Sequence, residues 1–523
     1  MSLFCATPAL KWNRCLRLVA DSVPLGIVSL ESDWFLKVAF LAGGPLWIAR
    51  QVRVNEKHSK KTYRLLFGAM TSAFVLMGAS GSSAETLESA LSRAYGNNPD
   101  LNAQRAGVRV RDEDVAQAKS GYRPRINGTA DIGRTFTDAD TGRPRTVFGG
   151  GSSISRLTPR GFGVEITQPI FDGFQTSNRV RAAESGVLGS RETLNTTEQG
   201  VLLDAATAYM DVLRDTAILD LQRNNVEVID EQLRQTRDRF NVGEVTRTDV
   251  AQAEARLAAS RSEASLAEAN LRNSIAVYRQ VVGVDPQQLA PGRPLDSLTP
   301  RSVDAAVKIA LNEHPAIKAR QHAVDVAELQ VKVAQGALAP QLGVAGAVDQ
   351  RYDRQTEGDS ALSASVVARL TVPIYEGGQA YAATRQAKEE AGQRRLEADS
   401  VRDQVRAAVQ SSWARLEAAR AQIQAAQAQI DAAETALSGV REEARVGQRT
   451  TLDVLNAQQE LLTARVNLIQ AQRDRVVASY SLVNAMGRLN SRALALKVNH
   501  YSPKIHYDQV KDLWIGTSTP DGR

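Results

Sequence analysis

Cysteine is nearly absent: the 523 residues hold two, Cys5 and Cys15, both near the start of the chain. From residue 85 onward there is none, which excludes disulfide frameworks, thiol nucleophiles and cysteine-based zinc sites together and suits an exported protein that needs no oxidative folding. Net charge is missing as well. The formal +6 comes from the first 84 residues, which carry 10 Lys/Arg and 4 Asp/Glu; what is left of the totals of 64 and 58 is 54 of each. A neutral chain sets up no field to gather nucleic acid, and none is expected as a partner. No Walker-type loop is present, so any energy has to come from another protein. His314 and His322 stand eight apart on an amphipathic helical pattern, with no acidic or cysteine companion at ligand spacing, and read as surface or packing residues. No enzyme chemistry, metal or cofactor is expected.

Long apolar runs are missing too. Residues 57–84 carry Lys57, Lys60, Lys61 and Arg64, then LLFGAMTSAFVLMG, then Ser82-Ser83-Ala84. This is the order of a secretory signal with a small-residue cleavage site, and its apolar run falls short of the ~20 residues of a spanning helix. The mature chain is expected to begin near Glu85. Residues 1–56 hold three of the five tryptophans, and no Met lies between Met1 and Met70. They read either as untranslated sequence before a non-AUG start at Val52 or Val54, or as a cytoplasmic extension.

What the chain has is a duplication. FNVGEVTRTDVAQA (240–253) returns as ARVGQRTTLDVLNA (444–457), with Gly243 matching Gly447 and Asp249 matching Asp453 at an offset of 204. Pro99 and Pro124 match Pro315 and Pro340 at 216; Pro169 of QPIFDGF and Pro373 of VPIYEGG are again 204 apart. The spacing predicts two similar units side by side, 85–285 and 302–489. A linker, 286–301, with four prolines joins them, and a tail, 490–523, follows. Each unit contains a long helical run that stops at a glycine, Gly243 or Gly447, and restarts after a Thr/Asp cap. The tips of these helical hairpins fall at about 240–249 and 444–453. The return runs keep a seven-residue period with small seam residues, as in Val250, Ala253, Leu257, Ser260 and Val454, Ala457, Leu461, Ala464, which predicts coiled-coil packing.

The only β-like sequence lies in two hairpins, about 125–168 and 341–372, where apolar and polar residues alternate over about nine positions, the length that crosses a bilayer as a tilted strand. Between their strands, TFTDADTGRPRTVFGGGSS and RYDRQTEGDS read as polar loops, and Gly149-Gly150-Gly151 as loop rather than phosphate cradle. Four strands cannot close a barrel, which needs about eight, and lipid forbids open edges. The chain is therefore expected to oligomerise, three copies giving twelve strands whose lumen is lined by Thr129, Glu165, Ser365 and Thr371. The expected fold class is an α+β membrane protein with four barrel strands per chain and long coiled-coil helices.

The duplicated hairpins, the PIFDGF and PIYEGG junctions and the two VG(x5)DV tips resemble the TolC family of outer-membrane channels from about Glu85 to Leu489. The resemblance implies a homotrimeric passive exit duct for efflux or type I secretion, in which a trimeric twelve-stranded outer-membrane β-barrel is continuous with a long α-helical coiled-coil barrel. It sits in outer-membrane lipid, crosses the periplasm and docks onto a periplasmic adaptor and an inner-membrane transporter. It also implies residue roles. Asp453 matches an acidic ring at the periplasmic entrance, and Asn456 stands where a second acidic residue is common. Arg449 matches a gate latch that bonds the neighbouring hairpin near Thr248 and Asp249, while Ala444 replaces a second, usually aromatic, latch residue. Val242, Gly243, Val446 and Gly447 match adaptor-docking tips, and Pro169, Gly173, Pro373 and Gly377 the joints between helix and barrel. Plain helix capping is the competing role of Asp249 and Asp453. The rival functional reading is a periplasmic adaptor or a structural coiled-coil protein of the envelope, though an adaptor would need one hairpin in a β-rich body. The tail from Ser491 loses helical periodicity and is expected to be extended or partly disordered.

Overall fold

The computed structural model describes residues 84–139 and 153–522. The signal-peptide reading of 57–84, apart from its last residue, and the Gly149–Gly151 loop fall outside them. Each repeat opens with a short helix and a longer one: α1 (Leu87–Asn97) and α2 (Pro99–Lys119), then α5 (Val303–Glu313) and α6 (Pro315–Gly336). Between the two helices of each pair, one residue serves both. The Asn98 side chain accepts from the backbone N–H groups of Asp100 and Leu101, and His314 Nδ1 accepts from that of Ala316. Pro99 and Pro315 follow at the first helical position, where a missing N–H costs nothing.

Strands β1 (Arg125–Ile132), β4 (Arg160–Phe171), β5 (Gln341–Tyr352) and β6 (Ser360–Thr371) form one antiparallel sheet in the order β1-β4-β5-β6. Its register pairs Thr129 with Gly163, Glu165 with Ala347 and Ala347 with Ser365, so the residues expected to line a lumen share one face. The other face carries Ile132, Leu362 and Val366, each more than 70% exposed in the chain. An apolar face of this size without cover belongs in lipid or against another protein. One expectation needs correcting: the first polar loop contains a ribbon, β2 (Thr135–Ala139) paired with β3 (Ser153–Leu157). Its Phe136 and Ile154 have the β-forming preference that the surrounding Asp and Gly residues masked.

After each half-sheet comes a helix of 67 residues, α3 (Gln175–Asn241) and α7 (Gln379–Arg445), about 100 Å long. The return helices α4 (Arg247–Val282) and α8 (Thr451–Ala485) have 36 and 35 residues. They cover one half of each long helix, and α2 and α6 cover the other. The predicted seam is buried at Ala253, Leu257, Ser260 and Ala267 and at Val454, Ala457, Leu461 and Ala464. Where the halves meet, Leu91, Leu202, Tyr209, Tyr278, Leu482 and Leu489 form the main core, each large side chain contributing about 1.5–3 kcal/mol by burial. Glu85 is fastened to it, its carboxylate accepting from Tyr278 and Arg93, both at 3.0 Å. Among the described residues no helix is long and apolar enough to cross a membrane.

At the sheet end, α2, α3, α6 and α7 share one concave groove, lined by alanines and by residues such as Arg111, Arg179, Ser190, His322 and Arg394.

The tail is ordered, against expectation. It carries a helix, α9 (Pro503–Val510), packed on α2. Scattered anchors hold it in place of a periodic face. Tyr501 N–H donates to the Tyr95 hydroxyl at 3.1 Å, His506 Nδ1 lies 3.1 Å from the fully buried Asp112, and Lys119 pairs with Asp512 at 2.7 Å.

Candidate functional site

The two tips are built alike. Gly243 and Gly447 both have φ +81°, and a Cβ at either would meet nothing within 4 Å. Backbone conformation, not space, requires glycine there. Val242 and Val446 beside them are each 71% exposed. The following helix starts with a capping box in both copies. In the first, Asp249 Oδ2 accepts from the Thr246 N–H (2.9 Å) and hydroxyl (2.7 Å), and the Asp249 N–H returns a bond to the Thr246 oxygen. In the second, Thr450 and Asp453 repeat this at 3.0 and 2.8 Å. The Thr246 hydroxyl, then its backbone N–H, holds the Asp249 carboxyl below the usual range; the Thr450 backbone, then its hydroxyl, does the same for Asp453. Within the chain both aspartates are helix caps.

Arg449 donates through Nε to Glu443 at 2.8 Å, closing its own tip. Arg239 and Glu244 staple the first tip the same way at 3.0 Å. So within one chain Arg449 does not bond Thr248 or Asp249, which lie on the first turn of α4. The hairpins are tied instead by Arg256, whose Nη2 donates to Asn456 Oδ1 at 3.0 Å. Beside that bond, Leu455 of the second hairpin is buried against Ile229, Leu233, Ala253 and Leu257 of the first. The doubling Val454-Leu455, a second apolar residue beside the seam, was the available sequence signal for this contact. Nothing marked Arg256.

At the other end, the joints differ. Pro169 stands where the β4–β5 register shifts, a place where its missing N–H breaks no ladder. Gly173 has φ +69° and is buried, and its Cβ would stand 2.3 Å from the carbonyl oxygen of Gly336. Its counterpart Gly377 has φ +65° with nothing within 4 Å, and Pro373 lies in the connection after β6. His322 is 3.4 Å from Asp325, an acidic neighbour the sequence reading left out. Among the described residues no three metal-ligating side chains gather.

The profile of the "Outer membrane efflux protein" family matches residues 90–284 and 306–488, both repeats. The chain is 45% identical over 455 residues to the outer membrane efflux protein BepC of Brucella suis biovar 1 (strain 1330), covering 87% of this chain and 96% of that one. It is 26% identical over 465 residues to the outer membrane protein TolC of Escherichia coli (strain K12), covering 85% and 90%. The fold superposes on the Campylobacter jejuni CmeC outer membrane channel with a TM-score of 0.67 at 16% identity, over 82% of this chain and 89% of that one. Duplicated hairpins, a membrane-length sheet with one apolar face and paired glycine tips thus meet in a chain that belongs to the outer membrane efflux protein family, the TolC-like exit ducts of the outer membrane.

Proposed function

We propose that three copies of the chain assemble into a passive duct whose barrel is closed by the apolar-faced sheets, in contact with outer-membrane lipid. One observation carries this reading: a contact made inside the chain by the first repeat is left open by the second. α3 lies so close to α6 that a Cβ on Gly189 would stand 3.4 Å from His322 Cβ. The internal repeat makes Gln393 on α7 equivalent to Gly189, and Ala106 on α2 equivalent to His322. Gln393 is exposed in the chain, and the unpaired edges of β1 and β6 flank the sheet in the same way. α7 of one copy therefore packs on α2 of the next, and repetition closes the ring.

The tips point away from the sheet and receive a periplasmic adaptor, which connects the duct to an energised inner-membrane transporter. The support is the pair of bare apolar turns, Val242-Gly243 and Val446-Gly447. The entrance there is ringed by Asp453 with Asn456 one turn along, and Arg449, half exposed on its tip, would latch onto Thr248 and Asp249 of a neighbouring copy.

Ala106→Cys with Gln393→Cys, in a chain whose Cys5 and Cys15 are serine, tests the assembly. Cβ atoms at such spacing are within disulfide reach, so oxidation should yield covalent trimers on a non-reducing gel. Monomers alone, with normal outer-membrane yield, would refute the arrangement.

A further inference from the structure

The tail runs along the back of the helical wall. On α2 it touches Arg105, Arg109, Asp112 and Lys119, whereas Gln104, Arg111 and Asp114 line the concave groove. At 100° per residue these two stripes are roughly 130° apart around the helix. On α3, Arg191 and Glu198 face the tail while Arg179, Ser190 and Thr193 face the groove, with the same separation. The tail is thus on the side of the helical wall turned away from the groove.

It also climbs toward the sheet. Tyr501 is beside Arg105, His506 beside Asp112 and Asp512 beside Lys119, a rise of about 21 Å along α2. At the top, Arg123 Nη1 donates to the Leu513 carbonyl at 2.6 Å, and its guanidinium lies 4.6 Å from the Trp514 ring. The chain then reverses: Gly516 has φ +130°, and Asp521 is back beside Arg109 at 3.8 Å. The tip of this reversal holds Trp514, 66% exposed, and Ile515, 93% exposed. Two residues beyond Arg123 begins β1, the first strand of the sheet. Tyr122, Phe174, Tyr375 and Tyr381, all more than half exposed, stand at the same helix–sheet boundary.

We propose that the Trp514-Ile515 turn is a membrane-interface anchor, with its indole in the headgroup layer of the leaflet on the helical side and Ile515 in the acyl boundary. Indole prefers this layer because it has an apolar body and one N–H donor to place. Arg123 beside the turn suits a phosphate headgroup, while Lys119 and Lys511 are paired with Asp512 and Asp508. The inference rests on the sheet being the membrane-spanning part. Its specific content is that the tail, tied to the helices, fixes their height and tilt against the bilayer.

The test uses the full-length trimer reconstituted in vesicles of phosphatidylcholine and phosphatidylglycerol, and reads the tryptophan emission that Trp514→Phe removes. Phosphatidylcholine brominated near the carbonyl end of its acyl chains should quench most of this emission, and aqueous iodide little of it. Free quenching by iodide with no response to the brominated lipid would overturn the anchor. Phe162→Trp in the Trp514→Phe background reports on the sheet separately and should respond to lipid brominated near the chain ends. If it responds and Trp514 does not, only the anchor fails; if neither responds, the placement of the sheet in the bilayer fails and the anchor with it.

Discussion

Two ion pairs occupy equivalent points of the two repeats. Arg191 reaches Asp112 at 3.7 Å, and Arg395, 204 residues on, reaches Glu328, 216 residues on, at 2.7 Å. The first pair is buried, with Asp112 fully inaccessible and His506 on its other side; in the second, the side chains are 61% and 46% exposed. The tail makes the difference, since it lies over the first repeat alone. Burial pushes the Asp112 carboxyl up, against the opposing hydrogen bond from His506 and the charge of Arg191. The same charges at the same fold position are a structural obligation in one repeat and a solvated ornament in the other.

Substitutions can break this comparison at several levels. The largest effect is expected at the joints. Gly173→Ala drives a methyl group into the backbone of Gly336, which cannot yield, and should remove most of the proposed trimer from outer-membrane extracts. Gly377→Ala pays only the left-handed backbone cost, about 1–2 kcal/mol, and should retain it. Equal losses on a native gel would mean that the neighbouring copy crowds Gly377 as tightly as α6 crowds Gly173.

Next come the ion pairs. Asp112→Ala leaves Arg191 and His506 without their buried partner and should cost on the order of 3 kcal/mol in denaturant unfolding, while Glu328→Ala should cost under about 1 kcal/mol. Similar costs would show that the tail does not impose the burial.

At the entrance, Arg256→Ser removes the bond between hairpins, and Arg449→Ser a bond within one tip that is also the proposed latch to a neighbour. Single-channel recording should show several-fold higher conductance for each. A response from Arg256 alone would place the closure inside the chain.

The smallest effects concern the caps, where the two repeats should agree. Thr246→Ala should cost about 1 kcal/mol at the start of α4. Because folding lowers the pKa of Asp249 and of Asp453, each contributes stability that is fully present above the unfolded carboxylate value, near about 4, and lost as pH falls through the lowered one. Hydrogen exchange at 246–253 and 450–457 should therefore accelerate together in acid relative to the main core. If the two segments diverge, the tips are not equivalent.

The sequence disclosed what is periodic. The heptad seam from Ala253 to Tyr278, the alternation that places Thr129, Glu165 and Ser365 on one face, and the paired glycine turns all follow from spacing, because backbone geometry repeats and single residues do not decide it. The tail was opaque because its fold hangs on isolated anchors, Tyr501 on Tyr95 and His506 on Asp112, separated by hundreds of residues in sequence. The Arg256–Asn456 tie was hidden for the same reason. The capping role of the tip aspartates was legible in Thr246-x-x-Asp249 and Thr450-x-x-Asp453, since a capping box is local.

The tail also sets a count. In the proposed trimer, two repeats per chain would give six equivalent pairings of arginine with an acidic residue, but one tail per chain covers three, Arg191–Asp112, and leaves three bare, Arg395–Glu328. In that assembly a partner gripping the wall at this height would meet a threefold rather than a sixfold surface, set by the tails and not by the helices they cover.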